Sequence, residues 1–193
     1  MKRAYLAAAI CLLFMSVPPA GRAQEAKGFR ADLLGQMEYG QKEILDLENA
    51  IPEKKMTWRP NKEVRSISEV YSHIAFGNYL FGKFACFTLP EGVSVTSPAD
   101  EKKWETMTTD KKAIHEQLVK SFAWVKDGIN GMSDAGLETT VDFFGQKMTV
   151  RSVLLALLSH SHEHLGQSIA YARMEGIVPP WTAAQMAAEK AKK

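Results

Sequence analysis

The chain has 193 residues, 46% of them hydrophobic and 24% charged, with a formal net charge of +2. That length suits one domain with a sizeable core, and the near balance of charge gives no support for nucleic-acid binding, which asks for a dense basic face. No internal repeat or low-complexity segment is present.

Residues Met1 to Ala23 read as a secretory signal. Lys2 and Arg3 form the charged start, Ala4 to Val17 an apolar run, and Gly21-Arg22-Ala23 puts small residues at the positions a signal peptidase reads, so cleavage is expected after Ala23. The run is shorter than the ~18 to 20 residues of a membrane span, and no later segment is apolar enough to span, which predicts a soluble, periplasmic or secreted mature protein. Cys11 lies inside the signal rather than at its end and makes a poor lipoprotein anchor; its loss leaves Cys86 without an internal disulfide partner. Loss of Lys2, Arg3 and Arg22 from the 24 basic residues leaves 21 against 22 acidic ones, a charge of about −1. The basic tail Lys190 to Lys193 reads as solvated.

Four long helical patterns follow. In the first, Phe29, Leu33, Met37, Ile44, Leu47 and Ile51 recur at helical spacing until Pro52. The second opens on a capping box, Ser66-Ile67-Ser68-Glu69, and runs from about Ile67 to Phe87, carrying His73. Thr88 to Asp100, with Pro90, Gly92 and Pro98, reads as a loop. The third helix, about Asp110 to Ile129, sets Ile114, Leu118, Phe122 and Val125 on one face. The fourth runs from about Val150 to Glu175, with Thr149 as N-cap, Gly176 as its stop and Pro179-Pro180 beyond. Between the last two, Thr139 to Met148 alternates weakly and suggests a short ribbon around Gly145; a short fifth helix is expected after Thr182. The class is therefore all-α: a four-helix bundle over residues 24–181 with a long crossover loop, then a helical or frayed tail at 182–193.

The stretch Ser159-His160-Ser161-His162-Glu163-His164-Leu165-Gly166-Gln167 carries the chemistry. At about 100° per residue, His160 and His164 differ by only ~40° around a helix, while His162 points to nearly the opposite side. Such an i, i+4 pair has the geometry of two facial metal ligands, though pairs of this kind also occur on exposed faces. His73 shares a stripe with Val70, Gly77, Leu80 and Phe84 and is the natural third ligand, a histidine on such a face otherwise serving as a hydrogen-bonded core residue. The pattern is not a zinc-protease signature, since Gly166 stands where the second histidine should be. Neither a phosphate loop nor a nucleophile elbow is present. Cys86 reads as a small core residue at the end of the second helix, and His115, beside Lys112 and Glu116, as a histidine on a solvated face.

Together, Met56-Thr57-Trp58-Arg59-Pro60, the segment Ser66 to Ile74 with His73, His160-x-x-x-His164-Leu165-Gly166-Gln167, Tyr171-x-Arg173-x-x-Gly176 and Pro179-Pro180 resemble the DinB/YfiT-like family of small metal-binding four-helix proteins. The likeness runs from about Phe29 to Trp181. It implies a bundle in which His73, His160 and His164 hold one divalent ion with water in the remaining positions, and it implies a homodimer. The family often has a basic residue where this chain has Leu165, so an anion contact from that position is not expected here.

Three neutral imidazoles leave the ion its full charge and an open position. Zinc suits the donor set best; nickel, manganese and iron also fit. Gln167, one turn beyond His164, is a candidate for orienting a ligand, and Glu163 a weaker candidate base. The resemblance points to a metal-dependent hydrolase or a thiol-type transferase acting on a small molecule, export weighing against the thiol chemistry. The alternative is a non-catalytic periplasmic metal- or small-molecule-binding protein.

Overall fold

The computed structural model describes residues 28–96 and 98–192; the expected signal, Met1 to Ala23, lies outside them. The four long helices are α1 (Phe29–Ala50), α2 (Ile67–Phe84), α4 (Lys111–Gly131) and α6 (Val150–Met174), with short helices α3 (Pro98–Thr106), α5 (Asp134–Leu137) and α7 (Pro180–Lys190). α2 packs against α4 and α6, and α1 closes the bundle against the same two. The apolar stripes read from the sequence meet in one core that includes Leu33, Ile44, Leu47, Ile74, Leu118, Phe122, Val153 and Leu157. None of the described helices is long and apolar enough to cross a membrane.

Local chemistry sets the helix ends that matter for the site. The Ser66 hydroxyl accepts from the Glu69 amide while a Glu69 carboxylate oxygen accepts from the Ser66 amide, so the capping box fixes where α2 begins. Thr149 caps α6 by accepting from the Ser152 amide. Gly176, at φ 74, ends that helix, with the Ile177 amide returning to the Ala172 carbonyl. The ribbon is an antiparallel hairpin of β1 (Thr140–Phe143) and β2 (Gln146–Thr149), turning through Phe144 and Gly145, both at positive φ.

Several boundaries differ from those expected. α2 stops at Phe84 rather than Phe87: the Cys86 amide bonds the Lys83 carbonyl and the Phe87 amide the Gly82 carbonyl, a left-handed close with Cys86 at φ 66. Cys86 is therefore exposed, not a core residue. The crossover is not all loop, because α3 begins at Pro98; proline fits the first turn of a helix, where its missing N–H costs nothing. Asp100 accepts from the amide and hydroxyl of Thr96, folding the approach back onto that turn. The last helix starts at Pro180 rather than after Thr182 for the same reason.

Candidate metal centre

α2 and α6 lie side by side in the bundle and bring three imidazoles together. Nε2 of His160 is 3.1 Å from Nε2 of His73, and one ring nitrogen from each of His73, His160 and His164 lies within 4.8 Å of the others. Two imidazole nitrogens on a tetrahedral zinc ion, each ~2.0 to 2.1 Å from it, stand roughly 3.3 Å apart, so the His73–His160 spacing is close to that of coordination. Room for the ring of His160 comes from Gly77 on α2. A β-carbon there would stand 2.3 Å from Cε1 of His160, a distance real atoms do not tolerate. The ring of Phe81, one turn further along α2, also stands against that of His160, with centroids 5.2 Å apart.

Two of the three rings are held from behind. Nδ1 of His73 donates to Oε1 of Glu105 at 3.1 Å, and Nδ1 of His164 donates to Oε1 of Gln167 at 2.9 Å. Gln167 is itself fixed by donating to the Tyr171 hydroxyl at 3.0 Å. A ring whose Nδ1 carries the proton turns the lone pair of Nε2 inward, as a ligand must. His160 Nδ1 is buried without a hydrogen-bond partner among the described residues.

Electrostatics keep the cluster ready for a cation. Burial, the neighbouring His164 and His73, and then Arg65 push His160 down to about 3. Burial likewise lowers His164, with His73 and Arg65 adding to the effect and the bond to Gln167 opposing it. Both rings are therefore neutral near pH 7, with lone pairs available. Burial alone would raise Glu105, but bonds from His73 and Arg65 outweigh it and hold the carboxyl at about 2.

Glu101 and Glu105, from α3, form a second acidic group with His73. Their relation to Arg65 decides what this group does. Arg65 Nη2 bonds Glu101 at 2.8 Å and its Nε bonds Glu105 at 2.7 Å, so a guanidinium already fills the cationic position between the carboxylates. The pair serves to orient His73 rather than to hold an ion of its own. Neither glutamate nor Arg65 was singled out from the sequence. Glu101 and Glu105 have the same i, i+4 spacing as the histidine pair, but they fall between the expected loop, Thr88 to Asp100, and the expected third helix, in a stretch where the sequence shows no helical pattern of its own.

The other sequence candidates lie elsewhere. His162 faces α1, where its ring packs on Gly40 and its Nδ1 donates to the Leu158 carbonyl at 2.9 Å. His115 is not on a fully solvated face: it is half-buried and bonds the completely buried Glu48 of α1 at 2.8 Å. Glu163 is exposed, and Leu165 is packed in the apolar core. Gln167 contacts His164 instead of standing free.

Two clefts flank the cluster. One, of 460 Å³, is lined by polar groups including Arg59, Lys102, Glu69, Glu105 and Gln167. Its charges are largely matched internally: Arg59 pairs with Glu69 at 3.1 Å, and Lys102 stands 3.9 Å from Glu69 and 4.0 Å from Glu105. The other, of 260 Å³, is mostly apolar and runs beside α2.

The fold and site define a helical bundle with three histidines converging between two of its long helices. The model of the DinB superfamily matches residues 36–168, and the chain belongs to that superfamily. Similar solved structures include a DinB-like protein from Bacillus cereus, 17% identical with a TM-score of 0.68, the match covering 78% of this chain and 95% of that one. A conserved protein from Enterococcus faecalis is 13% identical with a TM-score of 0.59, over 77% and 97% of the two chains. A DinB-like protein from Bacillus subtilis is 17% identical with a TM-score of 0.52, over 76% and 94%. At these identities the likeness establishes the fold. No curated protein matches the chain.

Proposed function

We propose that the protein is an exported metalloprotein that holds one divalent ion on His73, His160 and His164 and acts as a metal-dependent hydrolase on a small molecule. The observation that carries this reading is the convergence of the three ring nitrogens, with the outer nitrogens of His73 and His164 tied to Glu105 and Gln167. Zinc suits three neutral imidazoles best, with nickel, manganese and iron also compatible. Bound there, such an ion would supply Lewis-acid polarisation and make a coordinated water more acidic. The protein's part is to keep His160 and His164 neutral, to fix the tautomers of His73 and His164 through Glu105 and Gln167, and to surround the rings with low-dielectric packing. Glu101 and Glu105 are both committed to Arg65 and His73, and neither is free to act as a general base.

Hydrolysis is preferred to thiol-type transfer because an exported protein meets few reduced low-molecular-weight thiols. The runner-up, a non-catalytic metal- or small-molecule-binding protein, draws on the depth of His73 and His164, 9% and 7% exposed. Export rests on the pattern of Met1 to Ala23, and a homodimer on the family resemblance. Elemental analysis of untagged protein from its native compartment tests the central claim: about one divalent ion per chain is expected, and metal-free protein that takes up none on incubation with zinc would refute it. Mass spectrometry of the same material should find Gln24 at its N-terminus, and light scattering should give the mass of two chains.

A further inference from the structure

Gln167 has two ends and two places to be. Its Oε1 accepts from Nδ1 of His164 at 2.9 Å, and its Nε2 donates to the Tyr171 hydroxyl at 3.0 Å. The same side chain is half-buried and lines the polar cleft, where Arg59, Glu69 and Lys102 offer an amide other partners. A long side chain with that choice stays against the imidazole only if its far end is tied. Tyr171, one turn further along α6, supplies the tie. The tyrosine is itself fixed: it is 7% exposed, and the Trp58 ring meets it edge to face, with centroids 5.6 Å apart at 78°. Trp58 belongs to the strap that joins α1 to α2, and that strap is held to both histidine-bearing helices. The Met56 and Trp58 carbonyls accept from the Ser68 and Ile67 amides, in the first turn of α2, at 2.8 and 3.0 Å, and Lys55 pairs with Glu175 just past the last turn of α6.

Resting on the metal reading above, we infer that Tyr171 is a positioning residue for the metal centre. Its hydroxyl, steadied by Trp58, keeps Gln167 turned toward His164, so that Nδ1 of that ring holds the proton and Nε2 presents its lone pair. With Gln167 swung into the cleft, Nδ1 of His164 loses its acceptor and the proton is free to sit on either nitrogen. Tyr171 acts through the amide and not on the ring. Its contribution should therefore vanish when the amide is absent.

The test is a double-mutant cycle. Zinc affinity is measured by chelator competition for the unaltered protein, for Tyr171→Phe, for Gln167→Ala and for the two combined. Tyr171→Phe, which removes one oxygen and keeps the ring against Trp58, should weaken zinc binding about three- to tenfold, the usual cost of immobilising one rotamer-rich side chain. Gln167→Ala should weaken it roughly 10- to 100-fold, and the combined variant should bind no more weakly than Gln167→Ala alone. A second readout needs no metal: the imidazole nitrogen chemical shifts of His164 in metal-free Tyr171→Phe should move toward a mixture of tautomers, while those of His73, held by Glu105, stay where they are. Losses that multiply in the combined variant, an affinity unchanged in Tyr171→Phe, or unmoved His164 shifts would each overturn the positioning role while leaving the metal centre standing. Unaltered protein that takes up no zinc would instead sink the metal reading and this inference with it.

Discussion

Gly77 and His160 fit together as a notch and its filler: Cε1 of the imidazole stands 2.3 Å from where a β-carbon at position 77 would be. One hydrogen atom on α2 thus determines whether the ring can lie between the helices. Gly77→Ala should force His160 out of place, lowering metal affinity at least tenfold and costing about 1 to 3 kcal/mol of stability through overpacking. Gly166, also helical but with nothing within 4 Å of its missing β-carbon, should behave oppositely. Gly166→Ala is expected to keep the metal and gain about 0.5 to 1 kcal/mol, the ordinary benefit of alanine over glycine in a helix. Urea unfolding and metal content of the two variants check the contrast.

Replacing the five histidines one at a time with alanine should divide them into two groups. His73→Ala, His160→Ala and His164→Ala should lose the ion on dialysis, because two remaining imidazoles share it with more water. His162→Ala and His115→Ala should retain it, since the first ring packs on Gly40 and the second pairs with Glu48. Equal loss from His162→Ala and His160→Ala would show that the wrong face of α6 has been assigned.

Glu105→Gln should weaken metal binding by roughly 10- to 100-fold, the usual cost of removing a group that orients a ligating histidine. The amide can still accept from His73, but it cannot supply the negative charge that the ionised carboxylate places behind the ring. Competition with a chelator of known affinity measures the change.

Cys86 closes α2 in a left-handed conformation that glycine adopts without strain. Cys86→Gly should stabilise the protein, by up to about 1 kcal/mol, and leave metal content unchanged. A thermal melt monitored at helical wavelengths tests this.

How much of this was legible in the sequence depends on how local the signal was. The periodicity of α1, α4 and α6, the box at Ser66 and Glu69, and the turn at Gly145 each arise from residues a few positions apart, and the structure carries all of them. The His160–His164 alignment is local in the same sense. The end of α2 was misplaced because a left-handed close normally advertises itself with glycine, and here the position is held by Cys86. Glu101, Glu105 and Arg65 were missed because their meaning is entirely tertiary: 36 and 40 residues separate Arg65 from its two partners. The burial of His115 against Glu48, 67 residues away, was hidden for the same reason.

Arg65 immediately precedes the cap of α2, while its two carboxylate partners ride on α3 in the middle of the crossover. His73 can have its ring held from behind only while that crossover lies against the bundle. Occupancy of the centre and docking of α3 are therefore thermodynamically linked, and an ion that gains affinity from the ordered His73 must tighten the crossover in return. A segment that resembles a mere connection in the sequence is in this sense a clasp, whose grip and whose cargo each report on the other.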